Sequence, residues 1–77
     1  MKAKYKQTGN DCLIYYQVIC VDNIVVTVKS YYSGWFDEEP EATPTVCLTN
    51  AEARRIFYNT CIEFEKAGYE CIYKDVF

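Results

Sequence analysis

Two adjacent stretches of the chain have the pattern of β-strands and are separated by a tight turn. Residues 12–21 and 24–32 are rich in β-branched and aromatic side chains, and both have the length of a strand. Asp22 and Asn23 lie between them, and this pair favours a two-residue connection. The pattern therefore predicts a β-hairpin.

The register of this hairpin decides which side chains share a face. If Asp22 and Asn23 form the whole loop, Val21 faces Ile24 and Ile19 faces Val26. One face then carries Leu13, Tyr15, Ile19, Val21, Ile24, Val26, Val28 and Tyr32, and the other carries Ile14, Tyr16, Val18, Thr27, Lys29 and Tyr31. We expect the first face to be the core side because it is the more apolar. A longer turn would exchange the faces, since a one-residue slip inverts every side chain.

The best-specified element is a helix at residues 50–67. Thr49 and Glu52 have the spacing of a capping box, and Gly68 suits the left-handed position that ends many helices. Leu48 is placed to pack on Ala53. The side chains predicted to face the core recur every three or four residues and are Ala53, Ile56, Phe57, Thr60, Cys61, Phe64 and Ala67.

Three further segments complete the predicted fold. Residues 2–7 alternate lysine with other residues, as an edge strand does, and residues 69–77 alternate as a last strand. Residues 33–45 hold two prolines and four carboxylates, which predicts an irregular connection. The sequence thus predicts one α+β domain over residues 1–77. Its order is β-β-β-α-β, with an antiparallel sheet of three to four strands packed against a single helix at about 50–67.

Composition and charge narrow the class of protein. The chain is 51% hydrophobic and 17% aromatic, which predicts a globular domain rather than a disordered segment. A formal net charge of −3 argues against nucleic acid and anionic membranes as partners. No stretch approaches the roughly 20 apolar residues of a transmembrane helix. The basic start is followed by polar residues 7–11 rather than by the apolar region of an export signal.

The five cysteines have neither the even count nor the spacing of a disulfide framework or a zinc site. They are predicted to be buried, reduced thiols, since cysteine behaves as a small hydrophobe in cores. A reducing cytoplasm is the expected compartment.

The residues that catalysis and cofactor binding need are missing. The chain has no histidine, and no cysteine stands beside a basic cluster. The acidic group at 37–41 does not match a calcium loop, because the sixth position is Ala42 and the twelfth is Leu48. Glycines only at 9, 34 and 68 leave no phosphate-binding motif. We therefore predict no enzyme activity, no cofactor and no metal.

The candidate binding residues lie around the irregular connection. Trp35 and Phe36 directly precede the acidic group, and an aromatic anchor bordered by charge is typical of interfaces. The predicted partner-binding residues are Trp35, Phe36, Asp37, Glu38, Glu39 and Glu41, with Tyr16 and Tyr31 on the sheet. They predict a protein partner with a basic surface.

In size and charge the chain resembles the small acidic inhibitors that phages and other mobile elements encode against host nucleases and defence complexes. That resemblance implies a non-enzymatic inhibitor that binds a host macromolecule. The alternative is a structural or assembly subunit that forms a homodimer through its sheet face.

Overall fold

The computed structural model describes residues 1–8, 12–33, 36–37 and 39–76. Within these residues, six strands and one helix follow one another in the order β-β-β-β-β-α-β. They are β1 (Lys2–Thr8), β2 (Cys12–Val21), β3 (Ile24–Ser33), β4 (Phe36–Asp37), β5 (Glu41–Val46), α1 (Asn50–Lys66) and β6 (Glu70–Asp75).

All strands join one antiparallel sheet, with the order β4-β3-β2-β1-β6. β5 pairs with the same edge of β3 as β4 does, but along the first part of β3. Helix α1 connects β5 at one edge to β6 at the other and packs across β2 and β3. The predicted α+β class, antiparallel sheet and single helix are confirmed, whereas the number of strands is larger than predicted.

The hairpin forms in the first of the two registers considered, that of a two-residue loop. Val21 is paired with Ile24 and Ile19 with Val26, so Asp22 and Asn23 are the whole loop. Asp22 has a φ of 53°, a left-handed conformation that short polar side chains tolerate better than most.

The prediction of which hairpin face is buried is wrong. The core consists of Ala3, Tyr5, Val18, Cys20, Val25, Cys47, Ala53, Phe57 and Cys61, so α1 covers the face that carries Tyr16 and Val18. The reason lies in β1, which turns Ala3 and Tyr5 toward the helix and its three lysines the other way. Burying the more apolar face would also have buried three ammonium groups, which is far costlier than leaving apolar side chains exposed.

Two predictions about strand positions are also corrected. β1 is not an edge strand, since it lies between β2 and β6. The stretch at 33–45 is not irregular throughout, because it contributes β4 and β5. Pro44 is compatible with β5 because β5 is an edge strand, where an outward-facing position needs no N–H donor.

The helix begins and ends as predicted. The Glu52 N–H donates to Thr49 Oγ1 at 3.1 Å, and Gly68 has a φ of 84° just beyond the last turn. The second hydrogen bond of the capping box differs from the expected one, since Glu52 Oε2 accepts from the Leu48 N–H at 3.4 Å. Leu48 is 94% exposed, so the expected packing of Leu48 on Ala53 is wrong.

An open apolar sheet face as the candidate functional site

The sheet has one face that α1 does not cover, called the open face below. It is built from alternate positions of β2, β3 and β5, whose register aligns them in rows across the three strands. None of the described side chains that these strands place there is charged. They are Leu13, Tyr15, Gln17, Ile19 and Val21 from β2, Ile24, Val26, Val28 and Ser30 from β3, and Ala42, Pro44 and Val46 from β5.

Several apolar side chains of the open face are exposed to solvent. Val46 is 73% exposed, Val21 60% and Ile24 39%. These three residues form one row, because Ile24 is paired with both Val21 and Val46. Contiguous exposed apolar surface of this kind marks interaction sites far more often than scattered apolar residues do.

A charged strip borders the open face on one side. Lys2, Lys4 and Lys6 project from β1, and Asp75 and Glu70 of β6 lie opposite Lys2 and Lys6. The two carboxylates partly balance the three ammonium groups. Lys4 also lies flat over apolar surface, with its Nζ 5.0 Å from the centre of the Tyr15 ring. The open face therefore has an apolar centre and a charged border, the usual arrangement of a protein interface.

A β-bulge adds two more side chains to this border. The pairing of β1 with β6 shifts between Lys4 and Tyr5, so Ile72 has no partner of its own. Tyr73 accepts a hydrogen bond from Gln17 Nε2 at 2.7 Å, which places Tyr73 on the open face. Ile72 lines a shallow depression there with Lys4, Leu13 and Tyr15. The strict alternation predicted for residues 69–77 is therefore broken.

Tyr16 and Tyr31 lie on the side of the sheet that faces the helix. The Tyr16 ring stacks on Phe64 at 4.9 Å and on Tyr69 at 5.3 Å, measured between ring centres. Lys29 Nζ lies 4.8 Å from the Tyr31 ring centre and 5.6 Å from that of Tyr16. Tyr16 is thus packed against α1 and its C-terminal turn, away from the open face.

The predicted acidic contact is only partly within the described residues. Trp35 and Glu38 lie outside them, and Phe36 and Asp37 form β4 beside the end of β3. Glu39 and Glu41 are exposed at the start of β5, the edge of the sheet opposite β6. The register pairs Glu41 with Lys29 and Lys29 with Tyr16, so Glu41 belongs to the helix-covered side of the sheet together with Tyr16.

A buried polar group lies beneath α1. The Tyr5 O–H donates to Glu65 Oε1 at 3.1 Å, and Lys74 Nζ lies 3.3 Å from the same oxygen. Burial, together with contact with Cys61 and Glu65, raises the pKa of the Tyr5 phenol above its ordinary value. Burial likewise raises the pKa of the Cys61 thiol. A cysteine nucleophile needs the opposite shift, so this arrangement does not activate Cys61.

Among the described residues, no group of three His, Cys, Asp or Glu side chains is arranged to hold a metal ion. In the same part of the chain, no helix is long and apolar enough to cross a membrane. Buried thiols were predicted throughout, and Cys20, Cys47 and Cys61 are indeed buried, but Cys71 is exposed.

The sequence contains a signal for the open face that its interpretation missed. Lysines at every second position of residues 2–6 force one face of that strand toward solvent. The paired register then assigns the same exposure to Tyr15, Gln17 and Ile19. The constraint passes from one strand to the next through their pairing, so the pattern within a single strand does not reveal it.

Comparison with protein-family models, curated proteins and solved structures gives no match for this chain.

Proposed function

We propose that this chain is a non-enzymatic binding protein and that the open face is its contact surface for another protein. The observation that carries the proposal is the absence of charge from the described side chains of β2, β3 and β5 on that face. Such a surface in water costs about 25 cal/mol for every Å² of apolar area, and a partner removes that cost.

A protein fits this surface better than a nucleic acid does. The border carries three lysines on β1, and Glu70 and Asp75 lie beside them on β6. Nucleic-acid binding draws its affinity from a net excess of lysine and arginine, whereas the chain carries a formal net charge of −3. A broad apolar face with a charged border instead matches the surface of a protein partner.

The acidic residues indicate the charge that we expect on the surface of the partner. Glu39 and Glu41 are exposed at the β5 edge of the sheet, and Glu41 is paired with Lys29 on the side that the helix covers. They favour a partner with a basic surface, as the sequence predicts for the whole group from Trp35 to Glu41. Inhibition of a host nuclease or defence complex is one form that such binding could take.

Site-specific photo-crosslinking in cells that express the protein tests the proposal. The photoreactive residue p-benzoylphenylalanine would replace Ile24 on the open face, and in a matched control Ile62 on the helix. The two isoleucines are 39% and 43% exposed, so they differ in location rather than in accessibility.

We expect a discrete protein adduct from position 24 and none from position 62, each identified by mass spectrometry. The absence of an adduct at position 24, in a variant that retains the wild-type circular dichroism spectrum, would overturn the proposed contact surface.

A further inference from the structure

We propose that a cleft between the first half of α1 and the end of the sheet at the β2–β3 turn binds a small zwitterion with an apolar side chain, of the size of a free amino acid. The volume of this cleft is about 360 Å³, which lies within the range of small-molecule sites. The cleft is on the helix side of the sheet, so the proposal goes beyond the proposed function and does not depend on the open face.

One wall of the cleft is a stripe along α1. Asn50, Arg54 and Tyr58 follow one another at intervals of four residues, so they lie along the same side of the helix. Arg54 is exposed and forms no salt bridge with any of the described residues. A guanidinium group binds a carboxylate through two parallel hydrogen bonds, and the Asn50 amide, one turn away, can donate another. This wall therefore suits the carboxylate of a ligand.

The hairpin turn contributes the opposite charge to the same cleft. Asp22 lines the cleft, is exposed, and likewise forms no salt bridge within the part of the chain that the structure describes. The turn that carries it is held in place by its neighbour. The Asn23 side chain donates to the Cys47 carbonyl at 2.9 Å, and the Cys47 N–H donates to the Asn23 carbonyl at 2.8 Å. Asp22 is thus a fixed carboxylate to which an ammonium group of a ligand can donate.

The separation of the two charges indicates the chemical class of the ligand. Arg54 and Asp22 line one cleft but form no salt bridge with each other. A ligand that carries both a carboxylate and an ammonium group can therefore pair with both residues at once. A ligand with only one charge would pair with one residue and remove water from the other without compensation.

The rest of the lining suits an apolar side chain. Cys20 belongs to the buried core, and Val76 is an exposed apolar residue beside it. The partly exposed ring of Tyr58 adds an aromatic surface to the same cleft. An apolar side chain that enters the cleft removes its own surface and that of these residues from water. The ligand class is therefore an α-amino acid with an apolar side chain.

Titration of isotope-labelled protein with L-phenylalanine or L-leucine, followed by NMR, tests the proposal. Phenethylamine, which lacks the carboxylate, and hydrocinnamate, which lacks the ammonium group, are the matched controls for phenylalanine. We expect saturable shifts of the amide signals of Asp22, Arg54 and Tyr58 with the amino acids. Each control should bind about tenfold more weakly or worse, because it leaves one charge of the cleft without a partner. The absence of saturable shifts with either amino acid at up to about 10 mM overturns the proposal. Equal binding of either control overturns it as well.

Three variants assign the two charges of the ligand to their partners. Arg54→Gln should weaken phenylalanine binding by about tenfold or more and leave phenethylamine binding unchanged. Asp22→Asn should weaken phenylalanine binding similarly and leave hydrocinnamate binding unchanged, and asparagine tolerates the φ of 53° at this position. Arg55→Gln changes an equally exposed arginine that does not line the cleft, and it should bind phenylalanine as the wild type does.

All three variants change exposed side chains and should keep the wild-type circular dichroism spectrum. An equal loss of phenylalanine binding in Arg55→Gln and Arg54→Gln would show a general effect of charge and would overturn the site. None of these outcomes bears on the open face, which the crosslinking experiment tests separately.

Discussion

At the scale of single residues, Tyr5 has a buried ring and a hydroxyl group that forms a hydrogen bond. It is the largest fully buried side chain among the described residues, and its ring lies 5.2 Å from that of Phe64. Its hydroxyl donates to Glu65, so the buried phenol is satisfied as long as it keeps its proton.

The raised pKa of Tyr5 predicts a loss of stability in alkali. The folded protein holds this proton more tightly than the unfolded chain, in which tyrosine titrates at about pH 10. Its contribution is therefore complete below about pH 10 and falls as the pH rises further. Tyr5→Phe should cost about 1 kcal/mol at neutral pH through the lost hydrogen bond. It should also make the decline of the urea midpoint above pH 10 shallower.

The control for this prediction is Tyr58→Phe, which changes an exposed tyrosine of the helix. Equal alkaline slopes for the two variants would contradict the assigned role of Tyr5.

The thiols differ in location, and this difference predicts their reactivity. Cys71 is exposed, whereas Cys20, Cys47 and Cys61 are buried. Burial also raises the pKa of Cys47 and Cys61, which lowers the reactive thiolate fraction. Alkylation followed by peptide mass spectrometry should modify Cys71 more than about tenfold faster than Cys61 in folded protein. Unfolded, unreduced protein should take up five groups, one for each cysteine of the sequence. Uptake of fewer would indicate disulfides.

At the scale of elements, helix α1 is specified locally and by tertiary packing at once. Thr49 caps its first turn, Lys66 lies in its last turn, and Ala53, Phe57 and Cys61 are its buried residues. The agreement between cap and apolar stripe explains why its limits could be predicted to within one residue, since both signals lie within the segment itself.

Removal of the cap should therefore destabilise the whole protein. Thr49→Ala leaves the Glu52 N–H without its acceptor and should lower the free energy of unfolding by about 1 kcal/mol. Asn59→Ala, on the exposed side of the same helix, is the control and should be neutral or slightly stabilising. Chemical denaturation monitored by circular dichroism measures both. An unchanged midpoint for Thr49→Ala would mean that the helix gains nothing from this cap.

At the scale of the whole molecule, the described residues form two layers, a sheet and a helix, and one side of the sheet lacks a cover. The three lysines of β1 require that side of the sheet to face solvent. The strand pairing places apolar residues of β2 and β3 on the same side. The exposed apolar surface is therefore a consequence of the register, and association is the way to remove it from water.

Contact residues are harder to predict than elements, because they depend on which face of the sheet is exposed. Tyr16, a predicted contact, lies on the helix-covered side and stacks on Phe64 and Tyr69. Ile24 was predicted as core and is exposed. Both outcomes follow from one inversion of the sheet, which no pattern within a single strand could reveal.

The sequence by itself determined the elements whose signals are local. The helix from Asn50 to Lys66 and the hairpin around Asp22 and Asn23 follow from capping, periodicity and turn chemistry within a few residues, although the register of the hairpin stayed open. The tertiary structure alone decided the neighbours of β1, the edge position of β5 and the face that the helix covers. These depend on pairing between distant segments, where the cost of burying three lysines outweighs the gain from burying a more apolar face.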